Sequence, residues 1–240
     1  MCSIVISLQA GAEFPLLVAA NRDEMLDRPW DRPGRYWDDD RIIGGRDRLA
    51  GGSWLAVNEQ GVMAALLNRS GSLGPQAGRR SRGELPILAL AARDARAACA
   101  RILALDASEY RSFNMVIADQ AGGFLLRGLA AGAVEVASLA PGVTMVTALE
   151  PNDPACPRIA RYRGQFARVA RPEPAAGLAG WEAWARLLAD DTPPLDSAIR
   201  ITPRGGFGTV CSSLIALGPG QGQFLFGTTP LSYYDVYGNR

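Results

Sequence analysis

The sequence predicts an α+β fold with two sheets covered by helices. Three observations lead there. Apolar, β-branched runs of strand length, joined by short links rich in Gly and Asn, occupy much of the first 70 residues and return from Phe113. Between them, residues 84–105 carry apolar side chains at helical spacing. A second helical stretch over 158–189 then precedes closing strands over 209–237. No internal repeat and no clear linker appears, so a single domain over residues 1–240 is expected.

Taken in order, Met1-Cys2-Ser3-Ile4-Val5-Ile6 opens the first apolar run, and Ala10 to Phe14 makes a turn. Pro15-Leu16-Leu17-Val18-Ala19-Ala20 then runs into the polar cluster Asn21-Arg22-Asp23-Glu24. This reads as a β-hairpin that returns Asn21 and Asp23 towards Cys2. Arg28 to Trp37, with two prolines and two tryptophans, reads as an ordered surface loop, and Asp38-Asp39-Asp40 as a solvated turn. Ser53–Val57 and Val62–Leu67 make a second hairpin around Asn58-Glu59-Gln60-Gly61. Residues 70–82 form a Gly-, Ser- and Arg-rich loop whose Arg79-Arg80-Ser81-Arg82 reads either as a solvated basic stretch or as an anion contact. Ser81-Arg82-Gly83-Glu84 has the spacing of a capping box, which would start a helix there. A second helix is expected over Asp94–Leu105, burying Ala98, Ile102 and Leu105.

The spacing then predicts an antiparallel meander of Phe113–Ala118, Gly123–Arg127, Ala133–Leu139 and Val143–Leu149. Helices over Arg158–Val169 and Leu178–Ala189 follow, the latter with Trp181 and Trp184 on one side. Thr209–Leu217, Gln223–Thr228 and Tyr233–Tyr237 close the chain as strands. Gly218-Pro219-Gly220-Gln221-Gly222 imitates a nucleotide-binding glycine motif, but it joins two strands and opens no helix, so it is a hairpin loop.

Composition excludes whole classes of chemistry. The chain has no histidine, which removes Ser-His-Asp and Cys-His arrangements and histidine-ligated metals. It has no lysine either, which removes Schiff-base chemistry and a Walker-type phosphate loop. A formal net charge of +1 gives no reason to expect nucleic acid as a partner. No apolar run reaches the length of a membrane span, and no basic stretch precedes the first apolar run. The four cysteines, Cys2, Cys99, Cys156 and Cys211, lie far apart without metal-site spacing. The expectation is a cytoplasmic chain with reduced thiols and no resident cofactor.

General bases are thereby restricted to carboxylates, Tyr, Cys and an N-terminal amine. Cys2 is the position where two of these meet. If Met1 is removed, which a small second residue permits, Cys2 holds a thiol and a free α-amine whose reference pKa is about 8. One residue then serves as nucleophile and base. The alternative is a small buried apolar residue in a first strand.

The company of Cys2 adds to this. Ala19-Ala20-Asn21-Arg22-Asp23-Glu24, Gly51-Gly52-Ser53-Trp54-Leu55-Ala56-Val57, Gly61-Val62-Met63-Ala64-Ala65-Leu66-Leu67-Asn68 and Arg82-Gly83-Glu84-Leu85 together resemble the NRDE proteins, the transport and Golgi organisation 2 family. That family is in turn distantly similar to the cysteine N-terminal-nucleophile (Ntn) amidases of bile salts and penicillins. The resemblance implies a four-layer αββα sandwich and a hydrolase of small amides or acyl (thio)esters. It implies Cys2 as nucleophile, Asp23 as the acid orienting its amine, Asn68 as oxyanion donor, and Arg161 as a late arginine from Arg158-Ile159-Ala160-Arg161.

Asn21, Arg22, Trp54 and Thr147 are the substrate-binding candidates, Thr147 standing nearest to where the amidases carry a second Asn. Structural readings stand beside these: Asp23 pairing with Arg22, Asn68 ending a strand, Arg161 on an exposed helix face, Trp54 in a core. The chain departs from the amidases at Ala20, where they carry Arg, and from the NRDE proteins at Val210, where many carry Arg. Bile salts and penicillins are accordingly not the expected substrates. The resemblance also implies an alternative, a non-catalytic carrier of haem or of an acyl carrier, in which Cys2 could ligate iron or Arg could pair with propionates.

Overall fold

A computed structural model describes residues 2–228 and 232–235. The chain divides into two compact units, Met1–Arg28 with Ala140–Arg240, and Pro29–Leu139. Each contains one antiparallel sheet and its own pair of helices, so the α+β expectation holds.

In the first unit, β1 (Ser3–Leu8) and β2 (Leu16–Met25) form the expected hairpin, with Ser3 opposite Asn21 and Leu8 opposite Leu16. β2 runs on through the whole Asn21-Arg22-Asp23-Glu24 cluster, because β11 (Phe207–Gly218) pairs along its other edge. The sheet order is β10-β1-β2-β11-β12-β13, with β10 at Gly142–Val146, β12 at Gln221–Thr228 and β13 at Ser232–Asp235. Residues 236 and 237 of the expected last strand lie outside the described residues. One face of this sheet carries Val5, Leu17, Ala19, Leu214 and Ala216, which pack with Ile159, Tyr162 and Phe166 of α3 (Pro157–Arg168). Trp184 of α4 (Glu182–Leu188) and Trp181 join the same core, the two rings meeting edge-on at 6.2 Å. Such an arrangement contributes about 0.5–1.5 kcal/mol beyond the area buried. The helix expected over Leu178–Ala189 is regular only from Glu182, and 3₁₀ turns precede it over Pro174–Trp181. Gly177 interrupts those turns with a φ of 63°.

The second unit is a seven-stranded sheet of order β3-β4-β5-β6-β7-β8-β9. Its strands are β3 (Trp30–Gly34), β4 (Ile42–Asp47), β5 (Leu55–Asn58), β6 (Met63–Asn68), β7 (Phe113–Asp119), β8 (Gly122–Gly128) and β9 (Glu135–Ser138). α1 (Glu84–Leu90) and α2 (Ala95–Leu103) cover it, burying Leu85, Ala89, Ala98 and Ile102 against Ile117, Met115 and Phe113. Asp94 caps α2, its carboxylate accepting from Ala97 N at 2.7 Å. Leu105 falls past the end of α2 and is only half-buried.

Three expectations need correction. Arg28–Trp37 is not all loop, since Trp30 pairs with Asp47 across a β3–β4 ladder despite the prolines. The four-strand meander stops at β9, and β10 instead pairs with β1, placing Val146 opposite Ile4 in the other unit's sheet. The capping box does not form. The Glu84 carboxylate accepts from the Tyr110 hydroxyl at 2.6 Å and pairs with Arg80, leaving Gly83 as a cap without a side-chain bond.

Gly52 has a reason to be glycine. Ser53 N donates to Gly83 O at 2.8 Å, and a Cβ built on Gly52 would lie 2.2 Å from the Gly83 carbonyl atoms. Two sequence motifs thus meet backbone to backbone. Gly52→Ala is expected to cost about 1–3 kcal/mol or more through overpacking, read as a fall in the thermal midpoint. An unchanged midpoint would mean that this approach is not tight.

Candidate active site

The first unit gathers most of the nominated residues around the start of β1. Continuing the hairpin register by one pair sets Cys2 beside Arg22, and Arg22 faces Cys211 on β11. Side chains alternate along a strand, so Cys2, Arg22 and Cys211 share one face. Ser3, Asn21 and Asp23 share the other, under α3 and α4.

That helix-covered face is a chain of buried polar contacts. Asn21 Nδ2 donates to Leu188 O at 2.9 Å and Ile199 O at 3.0 Å, while its Oδ1 accepts from Ser212 Oγ at 2.6 Å. The amide protons thus tie the end of α4 and the segment at Ile199 to the sheet, which answers to a structural use of Asn21. One step along, Asp23 Oδ2 accepts from Arg158 Nη1 at 2.9 Å and Asp23 Oδ1 from Thr209 Oγ1 at 2.6 Å. The same Arg158 nitrogen donates to Ser3 Oγ at 2.8 Å. The side chains of Asp23 and Arg158 are 0% and 7% exposed. An ion pair so buried is held by geometry and by these extra hydrogen bonds.

Cys2 is half-buried and donates its S–H to the Asp23 backbone carbonyl at 3.6 Å. Burial pushes its thiol above the ordinary value and the Asp23 carboxylate adds to this, with Arg22 pulling the other way. Such a thiol stays protonated until a base takes its proton. Burial also pushes up the Cys211 and Cys99 thiols, and Cys156 is buried beside Thr147. Cys2 alone of the four is not fully buried.

Other nominated residues stand elsewhere. Arg161 turns away from Asp23. It donates to Thr192 O at 2.8 Å and to Ser197 Oγ at 3.1 Å, and pairs with Asp190 at 3.3 Å. The arginine that reaches Asp23 is Arg158, one turn earlier on α3. Thr147 is buried, its hydroxyl 3.4 Å from Cys156 Sγ, just beyond the β10 pair of Ile4. Arg22 is buried and pairs with Glu24 at 3.6 Å.

In the second unit, Asn68 ends β6 opposite Phe113. It is half-buried. Trp54 meets Trp30 edge-on at 5.8 Å and lies across Gly45, where a Cβ would come within 2.2 Å of its ring. The basic loop is engaged with protein groups: Arg80 pairs with Glu84 and Glu109, and Arg82 donates to Ser72 Oγ and Ser112 O, both at 2.9 Å.

Sequence reasoning missed Arg158, Ser3 and Thr209. Arg158 lay within the stretch that nominated Arg161, and Thr209 follows Gly208 in a segment noted only for the residue after it. Among the described residues no group of His, Cys, Asp and Glu could hold a metal, and no helix is long and apolar enough to cross a membrane.

The N-acylethanolamine-hydrolyzing acid amidase ortholog of Caenorhabditis elegans superposes with a TM-score of 0.64 at 12% identity, covering 92% of this chain and 94% of that one. Penicillin V acylase from Agrobacterium tumefaciens gives 0.62 at 11% identity, covering 99% and 87%. The C2A mutant of conjugated bile acid hydrolase from Clostridium perfringens gives 0.56 at 12% identity, covering 100% and 94%. At such identities the likeness shows the fold, which is that of the Ntn hydrolases.

The human and bovine Transport and Golgi organization protein 2 homologs are 32% identical over 111 and 112 residues. Those matches span 44% of this chain but only 39% of either relative. The sequence profile of Transport and Golgi organisation 2 matches residues 1–223, nearly the whole chain. The chain belongs to the Transport and Golgi organisation 2 family.

Proposed function

We propose that this chain is a cysteine Ntn-type hydrolase of small amides or acyl (thio)esters. The observation that carries the reading is the set Cys2, Asp23, Arg158 and Thr209 at the start of β1, on an Ntn-hydrolase fold. With Met1 removed, the Cys2 α-amine accepts the thiol proton as sulfur adds to the substrate carbonyl carbon. The tetrahedral intermediate collapses with loss of the amine or thiol leaving group, which takes that proton. Water then adds to the Cys2 thioester by the same route, releasing the acid and restoring the thiol. Asp23 holds the amine in position, and Arg158 and Thr209 hold Asp23. By family resemblance alone, the oxyanion role is assigned to the Asn68 amide.

The carrier alternative is less well supported by these residues. With no histidine in the chain, that reading would have to rest on Cys2 itself or on arginine–propionate pairing.

The test is made on protein from the native host. Intact mass should show a chain beginning at Cys2, and limiting alkylation should label Cys2 before Cys99, Cys156 or Cys211. A mature chain that keeps methionine lacks the base and overturns the reading. Protein in which Met1 is deliberately retained should be alkylated slowly at neutral pH, the rate climbing through and beyond the ordinary thiol range, because burial raises this thiol.

A further inference from the structure

The pairing of β2 with β11 contains one irregularity, and it falls at Asp23. From Leu16–Leu217 to Arg22–Cys211 every step on β2 is matched by one step on β11. The next pair breaks the pattern: Asp23 faces Thr209, and Val210 is the extra residue of a β-bulge. An unbroken register would set Val210 opposite Asp23, and valine has no hydrogen to donate. The bulge puts a hydroxyl there instead, and the contact it makes is a buried bond of 2.6 Å. Bulges re-aim side chains in this way beside functional sites.

Thr209 is itself held from the other side. Its Oγ1 accepts from Ile201 N at 2.8 Å, and its own N–H donates to Ile201 O at 2.9 Å. With the amide proton of Ile201 directed at Oγ1, the hydroxyl hydrogen has one direction left, towards Asp23 Oδ1. Arg158 occupies Oδ2. The carboxylate is therefore gripped on both oxygens and cannot rotate about its last bond without losing one donor.

From the bulge and this grip we infer that Thr209 is a positioning residue, acting through Asp23 on the reactivity of Cys2. The inference rests on the hydrolase reading of Cys2 given above. The amine that takes the thiol proton must be oriented, Asp23 is the carboxylate that orients it, and Thr209 fixes that carboxylate. Val210 and the bulge are the means by which β11 presents Thr209 without surrendering the Cys211–Arg22 and Ser212–Asn21 pairs.

The experiment follows alkylation of Cys2 by iodoacetamide in protein verified to lack Met1, which requires no knowledge of the substrate. Thr209→Val keeps the shape and removes the hydroxyl, and should slow Cys2 labelling by about tenfold, the worth of a hydrogen bond to a charged group. Thr209→Ser restores the hydroxyl and should return the rate to within about twofold of wild type. In an Asp23→Asn background, Thr209→Val should produce little further change, since the two act in series.

A folded Thr209→Val protein with the wild-type labelling rate, or a Thr209→Ser protein as slow as the valine variant, overturns the inference. Equal, additive losses in the two backgrounds overturn it as well. Should Thr209→Val fail to fold, the serine variant and the Asp23→Asn comparison made with Thr209→Ala decide by the same criteria. A wild-type Cys2 no more reactive than the buried thiols removes the hydrolase reading and this inference together, whereas a reactive Cys2 indifferent to Thr209 removes this inference alone.

Discussion

Cys2→Ala is expected to abolish acyl transfer, lowering kcat by roughly 10⁵–10⁶. Alanine is as small as cysteine, so Met1 is still removed and the α-amine remains beside Asp23. The variant therefore subtracts the thiol alone. Small acyl amides and thioesters are the substrates to screen, and the folded state is checked by its thermal midpoint, which should scarcely move because Cys2 donates only one long S–H bond. Turnover that survives the substitution would mean that the nucleophile is another group or water, and the reading built on Cys2 would fall.

The second large effect is on stability. Asp23→Ala leaves Arg158 buried without its carboxylate, and the cost of such an orphaned charge is about 3–5 kcal/mol. For a chain of this size that corresponds to a midpoint lowered by about 6–20 °C. Arg158→Met strands Asp23 in the same way and should cost a similar amount. The double variant Asp23→Leu with Arg158→Met removes both charges and should recover most of the loss, since an apolar pair in such a place is often as stable as the ion pair. If the single variants lose less than about 1 kcal/mol, water reaches the pair and the burial described for it is wrong. The double variant should stay inactive even where it is stable, which separates the structural cost of the pair from its proposed role in orienting the amine.

What the sequence made legible was local. The β1–β2 hairpin, the β5–β6 hairpin and the helix that begins after Asp94 each follow from residues a few positions apart. What it concealed was decided by distant partners. Ile42 to Asp47 is a strand although Gly44 and Gly45 weaken it, because Ala56 and Trp54 lie across those glycines and would collide with any side chain. β10 resembles the meander strands before it, and nothing in Val143 to Val146 announces that its neighbour is β1. Two arginines three apart on α3 fit one motif equally well; only the direction from which the helix crosses the sheet selects Arg158. Asn21 illustrates the converse, since its position was legible but its work, tying α4 to β2, was not. The bulge at Val210 could not be read at all, because a register exists only between two strands.

The sheet that bears Cys2 has a further consequence, for the order in which the chain is made. β1 and β2 are made before β10, α3 and β11, which complete their surroundings and come more than a hundred residues later. The unit of Pro29–Leu139 is contiguous and can fold as soon as it leaves the ribosome. The opening hairpin must wait with a bare edge on each side. During that wait Arg158 and Thr209 do not yet exist, and Asp23 is an ordinary solvated carboxylate. The buried contacts on the Asp23 carboxylate therefore close only after α3 and β11 have been made.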